Sequence, residues 1–191
     1  GSRSTTITRC GAATCVAASV SCGNGVREGR SPVYLTIDSL QGLRGGPSTA
    51  TPTGFLLSDV QTLVTTPAPC SPTSPCPTIF NDAGQAVLRA PLKNVGSSST
   101  PTAPTTNNEV TITRIHIDYV RADGRNTPGV DVPYGFDAAA TGTVPAGGTL
   151  ALGFEIVRHA SKQESPLVQL ITSPTIITTI GRVTFYGKDR V

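Results

Sequence analysis

Charge is scarce in this chain. Only 14% of its 191 residues are Asp, Glu, Lys or Arg, against roughly 25% in ordinary soluble domains. The 15 basic residues lie scattered, without a Lys/Arg run or interleaved aromatics, and the formal net charge is +3. The basic stripe that neutralises phosphates is missing, which argues against nucleic acid as a partner. No stretch approaches the ~20 apolar residues of a transmembrane helix, so any membrane attachment would run through a lipid.

The patterns of common catalytic and metal sites are missing too. No G-x-S-x-G is present for a nucleophile elbow. Gly23-Asn24-Gly25-Val26-Arg27-Glu28-Gly29 is one residue too long for a dinucleotide fingerprint and has no βαβ unit around it. Asp118, Asp123, Asp131 and Asp137 fall near loops but do not form the D-x-D-x-D-G order of a calcium loop. Asp123 between Arg121 and Arg125 reads as a loop brace, and Asp82-Ala83-Gly84 as an ordinary turn former. The cysteines lack paired C-x2-C spacing and a nearby histidine, so zinc is not expected. The two imidazoles are His116, beside Arg114 and Asp118 within a strand pattern, and His159 in a polar connection. A glycan hydrolase needs two facing carboxylates, and no spacing singles out a pair from Asp118, Glu155 and Asp131. Neither a cofactor nor a metal is expected, and a non-enzymatic protein is the reading.

What the chain does hold is 28 Thr, 20 Gly and 16 Pro. Thr favours strands, while Gly and Pro punctuate turns, so many short strands are expected. Residues 1–32 look like an N-terminal arm, closed by the break at 23–32, and 33–191 like a single β-sandwich domain. Strand patterns cover 33–40, 55–64, 85–93, 109–120, 130–134, 141–144 and 150–157, with a bulge at Asp59-Val60-Gln61. Pro91 suggests an edge or a bend. Within 109–120, Val110 and Ile112 share one face, while Ile115, Ile117 and Tyr119 share the other. That change of face predicts a bulge near Arg114. Residues 158–164 fit one helical turn, and 96–108 form a Ser/Thr/Pro loop of the kind that carries O-linked sugars.

The order of strands over 109–187 resembles immunoglobulin-like and fibronectin-like domains. Thr143-Val144-Pro145-Ala146-Gly147-Gly148-Thr149-Leu150 is similar to a strand entry in those folds, and Val183-Thr184-Phe185-Tyr186-Gly187-Lys188-Asp189 to their next-to-last strand and turn. The segment from Arg121 to Pro133 resembles uncharacterised bacterial envelope proteins, often lipoproteins. This resemblance covers mainly 109–191. It implies an all-β, immunoglobulin-like antiparallel sandwich and an extracytoplasmic location, and it carries no catalytic residue.

Two features bear on assembly. Cys70 and Cys76 flank a Pro-rich loop and are expected to form a disulfide, leaving Cys10, Cys15 and Cys22 with one thiol unpaired within the chain. The small-residue stretch before Cys22 either marks that residue as a lipidation site or belongs to an ordered arm. At the other end, Ile180–Tyr186 alternates as a strand and Gly187-Lys188-Asp189-Arg190 is turn chemistry. A strand reaching a tight turn normally has a returning partner, and an uncovered edge exposes unpaired backbone groups. Either a following strand belongs to the natural protein, or the arm supplies the cover through Thr6-Ile7-Thr8 and through Val16–Val20. Covering a neighbour instead of its own domain would build filaments, so the expected partner is a second copy of the chain.

Overall fold

The computed structural model describes residues 5–9, 31–47, 51–173 and 175–190. Two antiparallel sheets pack face to face in an all-β sandwich. One sheet has the order β1 (Thr5–Arg9), β9 (Ile180–Asp189), β6 (Val110–Val120), β7 (Phe136–Val144). The other has the order β2 (Thr36–Leu43), β5 (Asp82–Arg89), β8 (Thr149–Val157). A disulfide-closed hairpin of β3 (Thr62–Val64) and β4 (Cys76–Thr78) lies outside both. The helical turn α1 (His159–Lys162) follows β8 directly.

Alternation decides which side chains meet between the sheets. On β5, Gly84, Ala86 and Leu88 are buried, while their neighbours are exposed or half-buried. Val183 and Phe185 of β9 face them across the core, and Phe185 meets Phe154 of β8 edge-to-face at 5.8 Å. Gly84 stands opposite Phe154 in the ladder. A Cβ there would come within 2.4 Å of the ring, so this position requires glycine.

The longest strand would fail without a defect. Val110 and Ile112 face inward, and so do Ile115, Ile117 and Tyr119. A strict period of two cannot satisfy both sets. The register of β6 shifts between Ile112 and Arg114 against both neighbours. Thr113 and Arg114 are both exposed at the shift, so one extra residue returns the second half of the strand to the core.

Several boundaries differ from the sequence reading. Gly187, Lys188 and Asp189 continue β9, because Lys188 and Asp189 pair with Thr111 and Val110 and the ladder outweighs their turn preference. Phe136–Val144 is one continuous strand, and 130–134 is a turn, with Gly129 at φ 77° donating to Val132 O. Pro91 marks no edge: β5 ends at Arg89 and is the central strand of its sheet. Only Thr62–Val64 of 55–64 is strand, with no bulge at 59–61.

Deleting Thr113 should turn Arg114–Val120 over and bury Arg114, His116 and Asp118. We expect a loss above about 4 kcal/mol in urea unfolding, or no folded protein, because this exceeds ordinary point-mutation effects. Thr113→Ala removes only an exposed bond to Tyr186 O and should cost less than about 1 kcal/mol.

Candidate functional site

Strand β1 is the first element in the chain and lies beside the last. Thr5 pairs with Gly187, Thr6 with Tyr186, Ile7 with Phe185, Thr8 with Thr184, and Arg9 with Val183, all antiparallel. Of the residues singled out for assembly, Thr6, Ile7 and Thr8 therefore sit on the edge of β9. Val16, Val20 and Cys22 lie outside the described residues, as do Cys10 and Cys15. β9 is the receiving strand, with Val183 and Phe185 fully buried beneath the pairing. Its other edge is held along its whole length by β6. The pairing of β1 is main-chain bonding at a sheet edge, the chemistry by which one chain adds a strand to another.

Of the carboxylates and imidazoles named from the sequence, Asp118 and Asp137 meet at His116, and the others stand apart. Asp118 lies 3.2 Å from His116 Nε2, and Asp137 lies 3.1 Å from His116 Nδ1, on the solvent side of the four-stranded sheet. Glu155 belongs to the other sheet and accepts from Asn81 Nδ2 at 2.6 Å. Asp131 accepts from the Thr127 amide within its own turn. His159 is exposed at the start of α1. Each acid serves a local bond, and among the described residues no group of three or more His, Cys, Asp or Glu could hold a metal ion.

The loop brace is present. Asp123 accepts from the Arg121 and Arg125 guanidiniums and from the Arg125 amide. The side-chain bond from Arg121 is the main cause that holds its carboxyl well below the usual range. On the outer face of the four-stranded sheet, Arg114 stacks on Tyr186 at 3.9 Å from the ring centre, joining β6 to β9.

Cys70 and Cys76 are joined in a disulfide. The bond closes a short loop, for which chain entropy supplies about 2 kcal/mol. It shapes the Pro-rich segment more than it stabilises the sandwich. An open apolar depression beside it is lined by Val64, Pro67, Pro69 and Phe80, with Thr66 and Thr78 as polar groups and no titratable one.

One cluster had no signal in the sequence. Asp82 is fully buried at the start of β5, which corrects its reading as a turn former. Its Oδ2 lies 2.8 Å from Lys162 Nζ, and Lys162 is only 1% exposed. The same carboxylate accepts from the Gly45 amide and the Ser58 hydroxyl, and Lys162 also donates to Asp59 O. Nearby, the Tyr119 hydroxyl donates to Ile156 O, and burial raises its pKa beyond the phenol range. Arg158 lies 3.9 Å over the Phe136 ring. These bonds tie 44–59 and α1 to the rim of the three-stranded sheet. The pair braces the fold: Asp82 accepts from three groups, and Lys162 also holds the backbone at Asp59.

No protein-family model, curated protein or solved structure matches this chain.

Breaking the pair from one side should strand a buried charge. Asp82→Ala and Lys162→Met are each expected to cost about 3–5 kcal/mol in denaturant unfolding, and the double variant less than their sum. Additive losses would show that the two side chains do not depend on each other.

Proposed function

We propose that this protein is a non-enzymatic structural subunit outside the cytoplasm that assembles with its own copies by lending strand β1. One observation carries the reading: the strand covering β9 comes from the opposite end of the sequence. Residues 10–30 connect it to the sandwich, which Val33 and Leu35 enter, and that length reaches at most roughly 70 Å at ~3.3 Å per extended residue. The tether does not tie β1 to its own β9. The same backbone bonds form when β1 pairs with the β9 of another copy, so exchange loses no contact. Each subunit then gives a strand to one neighbour and receives one from another. The contact is head-to-tail and extends as a filament unless the rotation closes a ring.

Two further features support this reading. The Cys70–Cys76 disulfide suits an oxidising compartment. His116 with Asp118 and Asp137 lies on the open outer face of a sheet rather than in a cleft that would hold a substrate, and Glu155, Asp131 and His159 stand apart from it.

Pairing of Thr8 with Thr184 provides the test. Thr8→Cys and Thr184→Cys proteins, mixed and oxidised, should yield a peptide joining positions 8 and 184 from different chains. Protein carrying both substitutions should give a ladder of covalent oligomers. Removing residues 1–9 should abolish assembly and lower the unfolding midpoint. A bond found only within single chains, together with a monomer at millimolar concentration, would overturn the proposal. A covalent dimer without higher species would refute the open filament.

A further inference from the structure

The buried pair at the rim of the three-stranded sheet is a nucleophile held against an acyl carbon. Lys162 stands on the turn after β8 and Asp82 at the start of β5, so only the fold brings them together. Both side chains are shut off from solvent, with Nζ 2.8 Å from Oδ2. An amine and a carboxyl fixed at this range need no diffusional encounter, which removes a large part of the barrier to their reaction.

The surroundings supply what an acyl substitution uses. Asp82 Oδ1 accepts from the Gly45 amide at 2.8 Å, a donor placed to hold an oxyanion. The approach of that amide requires glycine, because a Cβ at position 45 would lie 2.1 Å from Asn81 O. The other oxygen, Oδ2, accepts from the Ser58 hydroxyl at 2.5 Å, a donor placed to stabilise a leaving group. Nζ donates to Asp59 O at 2.8 Å, which steadies the amine beside the carboxyl. Ser58 is itself exposed, so a small molecule released at Oδ2 has a short way to solvent.

We propose that Lys162 and Asp82 condense in the folded protein to an isopeptide bond between Nζ and Cγ, with the loss of one water. One proton passes from Nζ to Oδ2, leaving a neutral amine and a carboxylic acid. The Nζ lone pair attacks Cγ, and the C=O electron pair moves onto Oδ1, where the Gly45 amide holds the charge. A second proton passes from Nζ to Oδ2. The Cγ–Oδ2 bond then breaks as the C=O bond re-forms at Oδ1, and Oδ2 departs as water. Nothing is oxidised or reduced, and no co-reactant enters. In bulk water hydration favours the separate ions over the amide. Burial has already removed that hydration, whereas the product is neutral and keeps Gly45 and Asp59 O as hydrogen-bond partners. The new bond ties β5 to the turn after β8 and restrains the unfolded chain over everything between them.

Mass spectrometry tests this directly. Full-length protein that has folded, and is then reduced and denatured, should be lighter than its sequence by one water. Trypsin should leave residues 45–89 joined to 159–182, because it does not cut after an acylated lysine, and fragmentation should place the branch at Asp82 and Lys162. Lys162→Arg should keep its full mass. Ser58→Ala leaves both partners in place at an exposed position, and its condensation, followed over time after cell-free synthesis, should be at least about tenfold slower than the parent's. The peptide map and the Ser58→Ala rate decide the matter even where Lys162→Arg does not fold. Folded protein that retains its full mass for days and yields separate 45–89 and 159–162 peptides would overturn the proposal. So would a water lost without the joined peptide, since a cyclic imide at Asp82-Ala83 has the same mass. Equal rates for Ser58→Ala and its parent would overturn the part given to Ser58. No outcome depends on exchange of β1.

Discussion

The extra residue at Thr113 is the constraint on which the sandwich depends. β6 is the strand with a neighbour on each side for nearly its full length, and it supplies Ile112, Ile115 and Ile117, all fully buried. Without the shift, half of that set would face water while Arg114 and His116 faced the core. Both adjoining ladders shift at the same place but in opposite senses: β6 holds one residue more than β9 there, and β7 one more than β6. The shift also leaves the outer face polar, where Arg114 lies over Tyr186 and His116 lies between two carboxylates.

Stability at the rim comes from a different source. Asp82 and Lys162 are buried as a charged pair, and a buried pair is weak evidence for net stability because both charges lose their water. What it provides is position. Donors from residues 45 and 58 and an acceptor at 59 converge on it, so the loop after β2, the start of β5 and the turn after β8 are fixed by one cluster. The Tyr119 bond to Ile156 O adds a link between the sheets at this end.

The topology connects these features to assembly. β2, β5 and β8 form one sheet, while β6, β7 and β9 form most of the other, and β1 joins the second sheet from the far end of the chain. A strand brought in by a long tether is held by backbone bonds at a sheet edge, and such bonds carry little information about which copy of the chain supplies them. Specificity for an element of this kind comes from tether length and concentration more than from side chains.

Local patterns made much of this legible. The hydroxyl-rich, Gly/Pro-punctuated composition pointed to an all-β fold, alternation located β8 and most of β6, and the change of apolar face at Arg114 located the bulge. The brace at Asp123 followed from two arginines within two residues. Each of these depends on neighbours in the chain, which a sequence displays directly. The receiving edge of β9 was also readable as an edge in need of cover, with Thr6-Ile7-Thr8 as a candidate. Tertiary structure alone decided that these residues pair with 184–186, that Gly187–Asp189 continue the strand, and that Asp82 is a core residue. Lys162 shows why. In its own window it is an ordinary lysine in a polar stretch, and its burial depends on Asp82 and on a carbonyl 103 residues away. Periodicity is a property of one strand, whereas pairing and burial belong to segments that meet only when the chain has folded.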